Sequence, residues 1–346
     1  LPRIQRLHNI LPEGKLPVKV LGRVLDSVRN EEEGLVVRPS VGVDVGIVKS
    51  SGKFLVSSSD PITGASRKIG WYAVNVSAND VATSGVMPSF LTVVSLFPKG
   101  TSSQQIFSLT KEISDSASEL GISIVGGHTE VTSEIKKPLI VVTCFGTGDT
   151  FVTSANAHAG DAILMTKTAG IEGTSIIANL STLSRKVRKE SVIQRAKKLV
   201  ESISILKEAR IGYATGVVHA MHDATEGGVI GAVVEMSIAS RLGFRLQTDL
   251  IPLDPSTETI CGALAIDPLR LVSSGTLLLA CSENDSQQVI QAIEKAGIKC
   301  TKIGNFVPDE KERMLISKQK DGSNKIERLV DLSVQDELWT VLRKYS

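Results

Sequence analysis

Twice in this chain a predicted strand runs into an aspartate, a threonine follows two or three residues on, then glycine, then a helix of small residues: "DPITGA…WYAVNVSA" after Asp60 and "HDATEGGVIGAVVEM" after Asp223. This grammar, more than any bulk property, limits what the chain can fold into. Strand and helix alternation of this kind builds α/β layers around a sheet. Its recurrence makes the two halves echo each other, through duplication or through the grammar that all α/β units share. At 346 residues the chain also exceeds the roughly 250–300 at which one core stops growing, so two lobes are expected.

The first half predicts a short helix in "LPVKVLGRVLDSV", an acidic turn at "NEEEG", and a hairpin in "VGVDVGIVKSSGKFLVSSSD" whose second strand ends at Asp60. A helix "IGWYAVNVSANDVATSG", a strand "SFLTVVSLFP" and a serine-capped helix "SSQQIFSLTKEISDSASELG" come next. The strand "ISIV" is expected to stop at Gly126 and Gly127, and "KKPLIVVTCFGTG" completes this half. Polar residues are expected in the loops rather than the strands. After a seam of small residues, "VTSANAHAGD", the second half predicts the strand "AILMTK", the helix "IEGTSIIANL" and one basic helix "ESVIQRAKKLVESISIL". The strand "GVVHAMHD", the helix "EGGVIGAVVEMSIASRLG", the strands "FRLQTD" and "GTLLLACS", the helix "DSQQVIQAIEKAG" and "CTKIGNFV" follow. The expected division is a helical extension over 1–35, one lobe over 36–152 and a second over 153–346.

Four loops hold the side chains suited to chemistry: Asp44 in "GVDVG", Asp60 in "SSDPITG", Asn79 and Asp80 in "SANDVATSG", and Asp223 in "HDATEGG". Taken singly, each reads as a cap or turn residue. Together, carboxylates beside glycines and ahead of helices are what a magnesium-phosphate site needs, because Mg²⁺ takes hard oxygen ligands and shares its shell with phosphate. Neither a P-loop nor a dinucleotide glycine motif is present. The histidines His8, His128, His158, His219 and His222 form no H-x-x-x-H or H-E-x-x-H pair, which speaks against catalytic zinc; His219 and His222 should point to opposite faces of their strand. The run "RKVRKESVIQRAKK" reads as a solvated helix face or as guidance for an anionic substrate. A net charge of +2 does not suit a nucleic-acid binder. With no C-x-x-C pair, the four cysteines read as buried free thiols of a cytoplasmic protein, and no apolar run is long enough to cross a membrane. The first residue is Leu1 rather than Met, which leaves room for a short leader ahead of it.

In their order, "DPITGA", "NVSANDVATSGVMP", "IVGGHTEVT", "GIEGTSIIA" and "HDATEGGVIGAVVEM" resemble the motifs of the aminoimidazole ribonucleotide synthetase (PurM)-like superfamily, and most nearly its HypE-like branch of hydrogenase expression and formation proteins. The resemblance runs from about residue 12 to about residue 310. It implies an α/β (α+β), two-lobed PurM-like fold, each lobe a ferredoxin-like mixed sheet with helices, and a homodimer formed through the first lobes. It also implies ATP and Mg²⁺ as cofactors and phosphoryl transfer that activates an oxygen of a small acceptor. By the same resemblance, Asp44, Asp60 and Asp80 hold metal, and Asp60, Asp80, Glu130 and Asp223 act in catalysis. Asn79, Gly126, Gly127, His128, Thr129, Gly227 and Gly228 contact the nucleotide.

The chain departs from that branch in two places. It ends "ELWTVLRKYS", with Cys300 as its last cysteine, where the HypE-like proteins carry a terminal cysteine. It also reads Gly126-Gly127-His128-Thr129-Glu130 where the branch reads G-G-D-T-K, which points to a different acceptor. The alternative implied is a HypE-like nucleotide-binding maturation or scaffold protein without turnover of its own.

Overall fold

The computed structural model describes residues 11, 14–28, 33–62, 68–183, 186–187, 189–319 and 321–345. Arg3, Arg6 and Arg29, most of "NEEEG", the "TGA" after Asp60, and Arg185 and Arg188 of the basic run lie outside them. The first half runs α1 (Val18–Asp26), β1 (Leu35–Val37), β2 (Gly46–Ser50), β3 (Lys53–Ile62), α2 (Ile69–Ala82), β4 (Phe90–Pro98), α3 (Ser103–Glu119), β5 (Ser123–Thr132) and β6 (Leu139–Gly148). The second half runs β7 (Ala162–Thr166), α4 (Ile171–Ile177), α5 (Glu190–Lys198), α6 (Leu206–Ala214), β8 (Val218–Asp223), α7 (Gly228–Ala239), β9 (Gly243–Gln247), α8 (Pro255–Leu264), β10 (Leu277–Cys281), α9 (Ser286–Glu294), β11 (Cys300–Val307), β12 (Arg313–Lys318), β13 (Asn324–Arg328) and α10 (Glu337–Tyr345).

Each half builds one mixed sheet. The first has the order β1-β2-β3-β6-β4-β5, antiparallel except for the β4–β5 pair; the second has the order β13-β12-β9-β11-β7-β10-β8, antiparallel except for β12 beside β9. The two halves therefore repeat an architecture, as the two-lobed fold requires.

The helix after each aspartate strand is buried nearly all round. In α2, Gly70 and Tyr72 through Ala82 are enclosed, and in α7 every residue from Gly228 to Ser237 is. A helix apolar on every face belongs between layers rather than on a surface. One hydrophobic cluster accordingly runs from Val56, Val74 and Val81 of the first lobe into Ile171, Ile260 and Val341 of the second. Asn79 is the polar rivet in that seam. Its fully buried amide donates to the Ile203 carbonyl (2.8 Å) and accepts from the Ile205 N–H (2.9 Å).

Three expectations need correction. The strand read as ending at Gly126–Gly127 continues through both glycines to Thr132, because β4 pairs with it in parallel over its whole length. A Cβ on Gly127, at φ +154°, would run into the Val93 carbonyl, so this glycine answers to the close approach of β4. Asp60 and Asp80 lie within β3 and α2, not in loops. The single basic helix expected over 190–206 stops early, as α5 and a 3-10 turn at Leu199–Ser202, since the backbone at 203–205 turns toward Asn79. β1, α6, α8, β12, β13 and α10 stand where no element is expected from the sequence; β13 and β1 are short edge strands with little apolar alternation.

Replacing Asn79 by Leu leaves the Ile203 carbonyl and the Ile205 N–H unpaired in the core, each costing about 1–3 kcal/mol. The expected outcome is a urea midpoint well below that of the parent, with secondary structure retained. An unchanged midpoint would show that Asn79 does not join the lobes.

Candidate functional site

The acids singled out by sequence converge where the lobes meet. The face of β3 turned to α2 carries Val56, Ser58, Asp60 and Ile62, so strand alternation brings Ser58 and Asp60 to one side. There the Ser58 hydroxyl donates to Asp80 of α2 at 2.7 Å and lies 3.2 Å from Asp60. Asp44 arrives from the loop before β2. Gly42, at φ +79°, lets that loop lie so close to α7 that a Cβ would strike the Glu235 carbonyl, and Ser154 Oγ donates to the Gly42 carbonyl. From the second lobe, β8 delivers His222 and Asp223 at its end.

His222 is fully enclosed between lobes. Its Nδ1 is 2.6 Å from Asp44 and its Nε2 3.0 Å from Glu235 of α7. Burial opposes a charge on this ring, but the two carboxylates outweigh it and push its pKa up to about 10, so it stands as an imidazolium. Glu235 responds in kind. Burial alone would raise it, yet Lys15 and His222 bring it down to about 2. Lys15 enters from the N-terminal segment to pair with Glu235, and its own N–H donates to Glu226 at 2.8 Å, as does the Trp339 indole of α10.

Asp223 is the outlier. It is 1% exposed, and neither of its carboxylate oxygens has a hydrogen-bond partner among the described residues. Burial, followed by the negative field of Asp44, pushes its pKa up to about 8, and Asp80 is raised well above the carboxylate range by burial and by Asp60. Ligand atoms of Asp44, His222 and Asp223 lie within 4.8 Å of one another. A cleft of about 920 Å³ opens beside Asp44, lined also by Ser58, Asp60, Asp80, Glu172 and Thr225 among others. It lies within the roughly 300–1,000 Å³ typical of small-molecule sites.

Other predicted residues sit elsewhere. Glu130, with His128 and Thr129, lies on β5, the far edge of the first sheet and three strands from β3, on the order of 14 Å away. His128 and Glu130 are exposed and 3.2 Å apart. Gly126 and Gly127 lie on the same edge. Asn79 spends its amide on the lobe junction. Gly227 donates its N–H to Asp336 at 2.6 Å, and Gly228 packs on the backbone of Leu269 and Leu271. Within one chain, then, Asp44, Asp60, Asp80 and Asp223 come together and these residues do not join them. Sequence reading missed His222, Glu235, Glu172 and Lys15. Lone acids in otherwise apolar helices, Glu235 in "VVEM" and Glu172 in "GIEGTSII", were the available signal.

Without a bound cation, the proton on Asp223 stabilises the fold. That contribution is complete below the ordinary carboxylate pKa near 3.8 and is lost as pH rises through about 8. The melting temperature of the cation-free protein should therefore fall from about pH 6 to about pH 9, and Asp223→Asn should flatten this slope. An equal slope in parent and variant would refute the assignment.

Residues 42–148 match the family described as AIR synthase related protein, N-terminal domain, and residues 158–317 match its C-terminal domain. The carbamoyl dehydratase HypE of Cupriavidus necator is 26% identical over 249 residues, which is 70% of this chain and 68% of that protein. The fold superposes on HypE in a HypE–HypF complex with a TM-score of 0.72 at 18% identity, covering 90% of this chain and 99% of the other. It also superposes on HypE solved with ATP, with a TM-score of 0.65 at 20% identity and 90% of each chain covered. Two aspartate-bearing lobes in this order and these matches lead to one conclusion: the chain belongs to the AIR synthase related family, with the two-lobed PurM-like fold and in its HypE-like branch.

Proposed function

We propose that the chain binds ATP with Mg²⁺ in the acidic cleft and transfers a phosphoryl group to an oxygen of a small acceptor. The observation that carries this reading is Asp223, a buried carboxylate with no hydrogen-bond partner among the described residues, which lies beside Asp44 and in the field of Asp80 from the opposite lobe. The donor set suits magnesium: Asp44, Asp60, Asp80 and Asp223 offer hard oxygens, and orphaned carboxylate oxygens at such depth call for a cation. Those four residues would hold it. Bound there, magnesium supplies charge neutralisation for phosphate oxygens.

The chain's own groups do the rest. Ser58 keeps the Asp60 and Asp80 carboxylates in register. His222, fixed between Asp44 and Glu235, holds Asp44 toward the cleft and keeps its own proton at neutral pH, so it positions rather than abstracts. Glu172, its pKa pushed up to about 7 by burial, is the cleft carboxyl best matched to taking the acceptor's proton near neutral pH. Lys15 places a cation beside the acids, where an anionic nucleotide gains from it.

The residues on β5 find a role in a homodimer. Among the described residues the strand is an unpaired edge, along which Ile124, Val125 and Val131 are 42%, 55% and 49% exposed. Such an edge invites pairing with a second copy, which would carry His128, Thr129 and Glu130 toward the partner's cleft. The buried, unpaired Cys144, Cys261, Cys281 and Cys300 fit a reducing cytoplasm. A second reading, a nucleotide-binding maturation protein that works through a protein partner, draws on the likeness to HypE solved with HypF.

With Mg²⁺-ATP and a metabolite panel, ADP release stimulated by one acceptor is the expected result, and Asp60→Asn or Asp80→Asn should lower it by about 100-fold or more. Tight nucleotide binding with no ADP from any acceptor would instead support the partner-dependent reading. Separately, Val125→Glu with Val131→Glu should convert a sedimenting dimer into monomer; an unchanged sedimentation coefficient would exclude β5 as the interface.

A further inference from the structure

The opposite face of β8 carries a second cluster that the acidic cleft does not use. His219 lies three residues before His222 and points the other way. There it meets His158, from the seam after the 3-10 turn at Ser154–Asn156, and Asp161, the residue just before β7. Residues 61 and 58 positions apart are thus brought together: His219 Nδ1 is 3.1 Å from His158 Nδ1 and 2.9 and 3.0 Å from the two oxygens of Asp161. The imidazole rings are tilted at 53° to each other with centroids 4.4 Å apart.

Hydrogen bonding meets these contacts only by sharing: the Nδ1 of His219 holds at most one hydrogen, which has to be divided between the carboxylate and the other imidazole. If that hydrogen goes to Asp161, the His158 Nδ1 faces a ring nitrogen with no lone pair left to accept. If His158 donates instead, the lone pair of His219 faces the carboxylate. A cation taken up by all three lone pairs satisfies every contact at once.

We propose that His158, Asp161 and His219 form a binding site for a divalent transition ion of the zinc class. Two imidazole nitrogens and one carboxylate oxygen are the donor set of three-ligand zinc sites with an open position. Bonds of about 2.0 Å in a tetrahedral shell place donors about 3.3 Å apart, close to the separations found. The ligands are also held in advance. The His158 N–H donates to Asp161 Oδ2 at 2.8 Å, the Asp161 N–H to the His158 carbonyl at 3.1 Å, and the Gly160 and Phe306 N–H groups lock the turn to β11. Asp161 is 2% exposed while His158 is exposed, so the open position faces water and the ion can exchange. Donor hardness separates the two sites: magnesium goes to the oxygens of the cleft, zinc to the imidazoles behind it. The ion ties the seam between the lobes to the strand that delivers Asp223.

The test uses Co²⁺ and Zn²⁺ on the chelator-stripped full chain. One equivalent of Co²⁺ should give visible d–d absorption that Zn²⁺ abolishes, and Zn²⁺ should raise the melting temperature. His158→Gln and His219→Gln, checked for fold by circular dichroism, should each weaken binding by about tenfold or more and remove the thermal shift. Asp60→Asn, in the cleft, should keep both signals. No Co²⁺ uptake by the parent, survival of the absorption in both histidine variants, or its loss in Asp60→Asn would each overturn the proposal.

Discussion

One imidazolium holds the site together. His222 comes from the second lobe, and its two nitrogens engage Asp44 of the first lobe and Glu235 of α7. A buried charge of this kind is strongly penalised unless paired on both sides, and removing one partner costs about 3–5 kcal/mol. The loop bearing Asp44, the end of β8 and the middle of α7 are therefore committed to one relative position. Asp223 follows His222 in the chain and has no say in where it lies; it is carried into the acid cluster by its neighbour.

This explains why the cluster tolerates so much like charge. Lys15 and His222 neutralise Glu235 and Asp44, whereas Asp80 and Asp223 reduce their mutual repulsion by holding protons. The field left over is negative and concentrated at the bottom of a cleft, where low dielectric strengthens it. A cation that displaces those protons gains most of its affinity from a cost already met by folding.

Much of this was legible in the sequence. Asp44, Asp60, Asp80 and Asp223 could be chosen because carboxylates beside glycines and small-residue helices form a pattern that local chemistry dictates. The hairpin at "SSGK" and the serine cap of α3 were readable for the same reason: Ser51–Gly52 turns the chain, and Ser102 with Gln105 completes a capping box. What escaped depends on contacts far apart in sequence. Asn79 looked like a ligand beside Asp80, and only the return of residues 203–205 shows that its amide is occupied. Gly126–Gly127 looked like a strand end, because nothing local reveals that β4 runs beside it. Lys15 and Glu235 are 220 positions apart, and no periodicity links them. The halves echo as expected, yet the echo is unequal: Asp60 lies within its strand and is partnered by Ser58, while Asp223 closes its strand and has no hydrogen-bond partner among the described residues.

The central claim is that acids from both lobes form one cation site beneath a nucleotide. It is tested most directly by anomalous diffraction from crystals soaked with Mn²⁺ and a non-hydrolysable ATP analogue. A manganese peak bounded by Asp44, Asp60, Asp80 and Asp223, with the analogue's phosphates against it, is the predicted result. Nucleotide bound with no manganese between these carboxylates, or manganese bound away from Asp223, would contradict the account.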